Sequence, residues 1–294
     1  LPICYPGASS DSESWVYAYT FSPELEQEWN WSCRFPPQAE ILSYLEHVAD
    51  RFDLKSQFDF NTRVESIHFD EARRRWTART DRGETVSAQF VITAVGCLSA
   101  AQLPDIPGRD DFEGAAYHTG EWPHEKVDFT GKRVGVIGTG SSGIQSVPLI
   151  AQEAAHLTVF QRTPNFSVPA NNGLLSDERR ATLKRDIRQI REFCKWSAIG
   201  QPYDMRDAEA LQTDPEALEA QLEADWQKGG FEWMFGSFKD LLVDPKANQL
   251  AADFVRRKIS EAVQDADTAR KLTPTDHYIG TKRLPLDNGY FETF

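Results

Sequence analysis

The sequence predicts an α/β protein built on one strand–turn–helix–strand unit, with a β-meander before it and a run of polar helices after it. Three observations carry this prediction. Val134-Gly135-Val136-Ile137 is a short apolar run of the kind a buried parallel strand shows. Gly138, Gly140 and Gly143 then form G-x-G-x-x-G where that strand must turn, and Ile144, Val147, Ile150 and Ala151 repeat at helical spacing behind it. Leu157-Thr158-Val159-Phe160 supplies a second strand at the right distance. Pro148 within the helix removes a hydrogen bond and predicts a kink.

Each glycine of the turn has a physical task. The first permits the tight turn, the second lets the backbone approach a pyrophosphate, and the third lets helix pack on strand. Gly138, Thr139, Gly140, Ser141, Ser142 and Gly143 are therefore candidate cofactor-binding residues. An NAD site would place Asp or Glu at the end of the second strand, for the ribose hydroxyls. This chain places Gln161, Arg162 and Thr163 there. A guanidinium suits a 2′-phosphate, so the pattern points to NADP. The alternative for Arg162 is a solvated cation at a strand end.

In chain order, residues 1–36 are irregular and rich in aromatics, among them Tyr5, Trp15, Trp29, Trp31 and Phe35. Such a segment packs over a core or lines a cofactor pocket. Pro37 can open a helix whose apolar face carries Ile41, Leu42, Leu45, Val48, Ala49 and Phe52. Residues 61–95 alternate as a β-meander, with turns at 70–74 and 81–83 and a last strand over 85–95. The apolar run 90–98 reads as a buried strand. From 169 to 273 the pattern becomes polar helices. Ser176 caps one carrying Leu183, Ile187 and Ile190, and Asp214-Pro215 opens another closed by Gly229-Gly230. Leu250, Phe254, Val255, Ile259 and Ala262 mark a third. Residues 278–286 return to a strand-like stretch.

At 294 residues the chain has room for two domains. A net charge of −13 argues against nucleic acid or an anionic membrane as partner. Cys4, Cys33, Cys97 and Cys194 are scattered, with no C-x-x-C, so neither a metal site nor a redox dithiol is signalled and a reducing, cytoplasmic location fits. No apolar run approaches the roughly 20 residues of a membrane span. The first residue is Leu and the last five, from Tyr290, lack a closing element, which reads as a fragment.

One further stretch is more specific. Phe112, Gly114, His118, Trp122 and Pro123 fit F-x-G-x-x-x-H-x-x-x-W-P immediately before the Gly-rich turn. Here the chain resembles the flavin-dependent Baeyer–Villiger monooxygenases. The likeness extends to Tyr5-Pro6-Gly7-Ala8, the run from Gly138 to Gln145, Val159 to Pro164, and Gly280-Thr281-Lys282-Arg283. The resemblance implies two Rossmann-like dinucleotide-binding domains, one for FAD and one for NADP, the FAD domain truncated and the NADP domain carrying a helical insertion at about residues 170–273. Residues 1–98 are then a partial FAD domain with the meander, and 99–294 the NADP domain. It implies a small ketone and O₂ as substrates, oxygenation through a C4a-peroxyflavin, and an ester or lactone product. By the same resemblance Arg283 looks like the active-site arginine, and a cation there is apt for holding negative charge. Asp11 looks like its orienting carboxylate. Lys282, Arg162 and Thr163 look like the 2′-phosphate site, Gln145 joins the cofactor-binding set, and His118 and Trp122 resemble motif residues acting in catalysis.

The departures bear on this. No second G-x-G-x-x-G is present for FAD, the usual Ala-Thr-Gly connection is Ala94-Val95-Gly96, and Ser9 stands where many members have Arg. Two alternatives stay open: a related flavin monooxygenase acting on amines or sulfides, and an inactive NADP-binding fragment. A disulfide reductase is disfavoured by the missing cysteine pair.

Overall fold

A computed structural model of the chain describes residues 4–294. They form two compact units, residues 4–42 with Trp122–Phe294 and Ser43–Glu121. The helices are α1 (Ser14–Tyr17), α2 (Pro23–Glu28), α3 (Gln38–Arg51), α4 (Ser141–Glu153), α5 (Asp177–Trp196), α6 (Pro215–Lys228), α7 (Glu232–Phe235), α8 (Pro245–Ala262) and α9 (Ala266–Leu272). The strands are β1 (Val64–Asp70), β2 (Arg75–Thr80), β3 (Thr85–Ala88), β4 (Arg133–Ile137), β5 (His156–Phe160), β6 (Val168–Pro169) and β7 (Leu286–Asp287).

The first unit holds the expected α/β element. Strands β4 and β5 pair in parallel, with Val134 opposite Leu157 and Val136 opposite Val159. α4 connects them and runs unbroken through Pro148. The strands are not buried on both faces. Val136, Leu157 and Val159 face the core, whereas Ile137 and Phe160 are exposed. Side chains alternate along a strand, and among the described residues only one face of this pair is covered.

The expected helix caps are present. Ser176 Oγ accepts the Arg179 N–H and Asp214 accepts from Glu216 and Ala217, while Gly229 ends α6 with φ 65°. The α8 core face consists of Ala247, Asn248, Ala251, Ala252, Phe254, Val255 and Ile259; Leu250 is exposed, not inward. The apolar residues of this face pack with Trp233, Leu241, Phe166, Val168 and Leu286 into one continuous core. Trp233 is fully buried, stacks on Phe254 at 5.8 Å, and donates its indole N–H to Leu222 O at 3.2 Å. Of the stretch 278–286 only Leu286 enters a strand: β7 lies parallel to β6, with Val168 opposite Leu286.

The second unit contains the antiparallel meander β1-β2-β3. Phe69 faces Trp76 across it, their rings 5.0 Å apart. β3 stops at Ala88, and residues 90–98 are not a buried strand. Phe90, Ile92 and Val95 are 77%, 89% and 75% exposed. A strand is stable only where neighbours take its N–H and C=O groups, and β3 pairs through residues 85–88 alone. No helix among the described residues is long and apolar enough to cross a membrane.

Candidate functional site

The turn between β4 and α4 has the geometry of a phosphate cradle. Gly138 sits at φ 108°, open to glycine but strained for other residues, and its N–H reaches Phe160 O at 2.9 Å. A Cβ at Gly143 would lie 2.5 Å from Gly138 O, so only glycine lets the helix start this close to the turn. A Cβ at Gly140 would meet nothing within 4 Å, which leaves room for a ligand. The first N–H groups of a helix have no partner within it, and here they border that space. Thr139 Oγ1 donates to Thr163 O at 3.2 Å, which ties the turn to the end of β5.

Arg162, just past β5, is exposed, and so is Lys282. Neither forms an ion pair among the described residues. Asn165 Nδ2 donates to Arg283 O at 3.1 Å and so links the segment after Arg162 to the loop of Lys282 and Arg283. The structure thus joins the segments bearing all three cations, through a residue that sequence reasoning did not single out.

A second cluster lies against the first turns of α4. Arg283 Nη2 reaches Asp11 Oδ2 at 2.8 Å. The pair is unequal: the Asp11 side chain is 5% exposed and that of Arg283 73%. Asp11 also accepts from Gln145 Nε2 at 3.2 Å and, more weakly, from Ser141 Oγ at 3.5 Å. Burial pushes its carboxyl above the ordinary range; the Arg283 charge and these hydrogen bonds oppose that rise without cancelling it.

The arm that carries Asp11 is held from several sides. Ser10 N–H bonds Pro36 O at 2.9 Å, Ser14 N–H bonds Arg34 O at 2.8 Å, and Arg34 pairs with buried Glu13 at 2.8 Å. Gly7 passes so close to α4 that a Cβ there would lie 2.4 Å from Gln145 O. The Gln145 side chain is spent on this arm: Oε1 accepts from Tyr5 Oη at 2.8 Å, and Nε2 donates to Ser9 O and Asp11. Gln145 thereby holds Asp11 in place. Tyr5-Pro6-Gly7 was the sequence signal that could have found Tyr5.

His118 belongs to the second unit, where its Nδ1 accepts the Gly120 N–H at 3.1 Å. Trp122 lies in the first unit, half-buried, its ring 6.2 Å from that of Phe129.

A family profile described as pyridine nucleotide-disulphide oxidoreductase matches residues 12–192. The chain belongs to that family. Within the pyridine nucleotide-disulphide oxidoreductases its similarities lie with monooxygenases. It is 43% identical to a Baeyer–Villiger monooxygenase of Pseudooceanicola batsensis over 291 residues, 99% of this chain and 53% of the relative. It is equally 43% identical, with the same shares covered, to a phenazine N-monooxygenase of Lysobacter antibioticus. Among solved structures, an oxidized steroid monooxygenase bound to NADP is 51% identical with a TM-score of 0.94, covering 99% of this chain and 56% of that one. The chain thus spans about half the length of the curated relatives it matches. These 294 residues carry no C-x-x-C.

Proposed function

We propose that this chain is the nicotinamide-binding half, with part of the flavin-binding half, of a Baeyer–Villiger-type monooxygenase. The overall reaction would be NADPH, H⁺, O₂ and a small ketone giving NADP⁺, water and an ester or lactone. The observation that carries the reading is the Asp11–Arg283 pair held against the first turn of the Gly-rich helix. It places a fixed carboxylate and a solvent-facing guanidinium beside a nucleotide cradle.

The residues present fit NADP. The turn from Gly138 to Gly143 would take the pyrophosphate, and Arg162, Thr163 and Lys282 the 2′-phosphate. Asp11 orients Arg283, and Arg283 offers a planar donor to negative charge developing on oxygen. His118 and Trp122 stay in the reading on the motif alone. FAD does not fit these residues by themselves, because the sequence has a single G-x-G-x-x-G and the NADP reading uses it. The flavin is supported by solved neighbours described as complexes with FAD and NADP. In this reading residues 1–98 serve flavin and 99–294 serve NADP, with a helical insertion at about 170–273. A cytoplasmic location is supported by four free cysteines, and the charge of −13 supports no nucleic-acid or membrane partner.

A second reading, oxygenation of a ring nitrogen, is favoured by the equal identity to the phenazine N-monooxygenase. One experiment separates the two. The full-length protein is given NADPH and O₂ with cyclohexanone or with phenazine, and products are identified by mass spectrometry. Lactone supports the first reading and N-oxide the second; NADPH oxidation with neither product would reject both.

A further inference from the structure

Helix α8 grips the loop that presents Lys282 and Arg283. Asn248, buried on the core face of α8, donates through Nδ2 to Ile279 O and to Leu241 O, both at 2.9 Å. Its Oδ1 accepts the Ile279 N–H at 3.1 Å. One side-chain amide thus takes both backbone groups of one residue, as a neighbouring strand would. Arg256, two turns further along α8, holds the start of the same loop by donating to Pro274 O at 2.7 Å. After Ile279 the chain is exposed through residues 280 and 283 and is buried again at Leu284. The Arg283 side chain is too exposed for packing to fix it. The reach of the guanidinium to Asp11 therefore depends on where the backbone is held, at the Arg283 carbonyl by Asn165 and upstream at Ile279 by Asn248.

We propose that Asn248 is a positioning residue for Arg283: by clipping Ile279 it sets the loop from which the guanidinium meets buried Asp11. The chemical use of that pair rests on the function proposed above; the clip itself does not. A purely structural Asn248 would also be costly to remove, since buried backbone groups would lose their partners. The two roles differ in what Asp11 senses. If Asn248 serves stability alone, the Asp11–Arg283 pair survives its loss in the folded chain. If it positions Arg283, the pair weakens.

The test is a ¹³C NMR titration of the Asp11 carboxyl in the whole chain, its signal assigned by its absence in Asp11→Asn. Arg283→Ala should raise the proton affinity of Asp11 by about tenfold, the low end for losing one nearby opposite charge, because Arg283 faces solvent. Asn248→Ala should give most of that rise. The double variant should go no further than Arg283→Ala alone. Asn248→Leu fills the same volume without the hydrogen bonds and carries the test if the alanine variant does not fold; failure of both to fold would mark Asn248 as a residue of the fold and overturn the proposal. A rise with Arg283→Ala but none with the Asn248 variants overturns the clip and leaves the proposed function standing. No rise with either would remove the pair on which both depend.

Discussion

The helical region after β6 and the β-meander use similar apolar residues to opposite ends. In the helical region, Trp233, Leu241, Val255 and Ile259 are sealed from solvent against one another. Before and after the meander, Phe58, Phe60, Phe90 and Ile92 are exposed. The difference lies in partners rather than hydrophobicity. The helices of that region close on each other and on β6 and β7, while the segment after β3 finds no neighbour among the described residues. The same logic governs charge. Asp11 is buried where Arg283, Gln145 and Ser141 meet it, whereas Arg162 and Lys282 face solvent.

Four substitutions break or sharpen this contrast. Trp233→Ala should cost about 3–5 kcal/mol of stability, as expected for emptying a packed aromatic site, and Phe90→Ser should stay within about 0.5 kcal/mol. Chemical denaturation of each variant measures both. A comparable loss for Phe90 would show that the second unit is packed after all.

Asp287 lies at the edge of that core, at the end of β7. Burial raises its carboxyl to about 6, against Tyr290, Gly289 and Phe291 backbone hydrogen bonds that pull it down. The folded chain therefore holds a proton between about pH 4 and 6 that the unfolded chain has released, and stability falls as pH rises through that window. Asp287→Asn keeps an acceptor for the Tyr290 N–H and removes the charge. It should stabilise the chain by about 2–3 kcal/mol at pH 7 and leave it nearly unchanged at pH 3.5. Thermal melts at both pH values check this; an equal gain at both would mean the charge is not the cause.

Arg162→Ala should weaken NADP⁺ binding by about tenfold and leave NAD⁺ almost untouched, since a charge-assisted bond to phosphate is worth roughly 1.5–3 kcal/mol and exposure places it near the lower figure. Calorimetry with both nucleotides separates this from a general loss of the cradle, which would weaken them equally.

Much of this was legible because the signals were local. The Gly-rich turn, the Ser176 and Asp214 caps and the Gly229 stop each act within a few residues. The path of Phe90 to Leu98 was not legible, because a buried strand and an unpaired apolar run look alike until the neighbours are known. Nor were the contacts of the Gln145 side chain, which reach Tyr5, Ser9 and Asp11 more than 130 residues away. Asn248 gave no signal either: a polar residue on an apolar helix face shows its use only when Ile279, 31 residues on, is brought to it.

The central claim is that Arg283, fixed by Asp11, supplies the cation at the reacting centre. It is tested most directly in the full-length protein by measuring NADPH oxidised, O₂ consumed, ester formed and hydrogen peroxide released. Arg283→Ala should still bind and oxidise NADPH through the separate cradle, while ester formation falls about 10²–10³-fold and the O₂ consumed leaves as hydrogen peroxide. Arg283→Lys should recover little of it, since a point charge does not reproduce the planar fork, and Asp11→Ala should show the same defect more mildly. Ester formed by Arg283→Ala at the unmutated rate would contradict the account and leave Arg283 a surface cation beside a buried carboxylate.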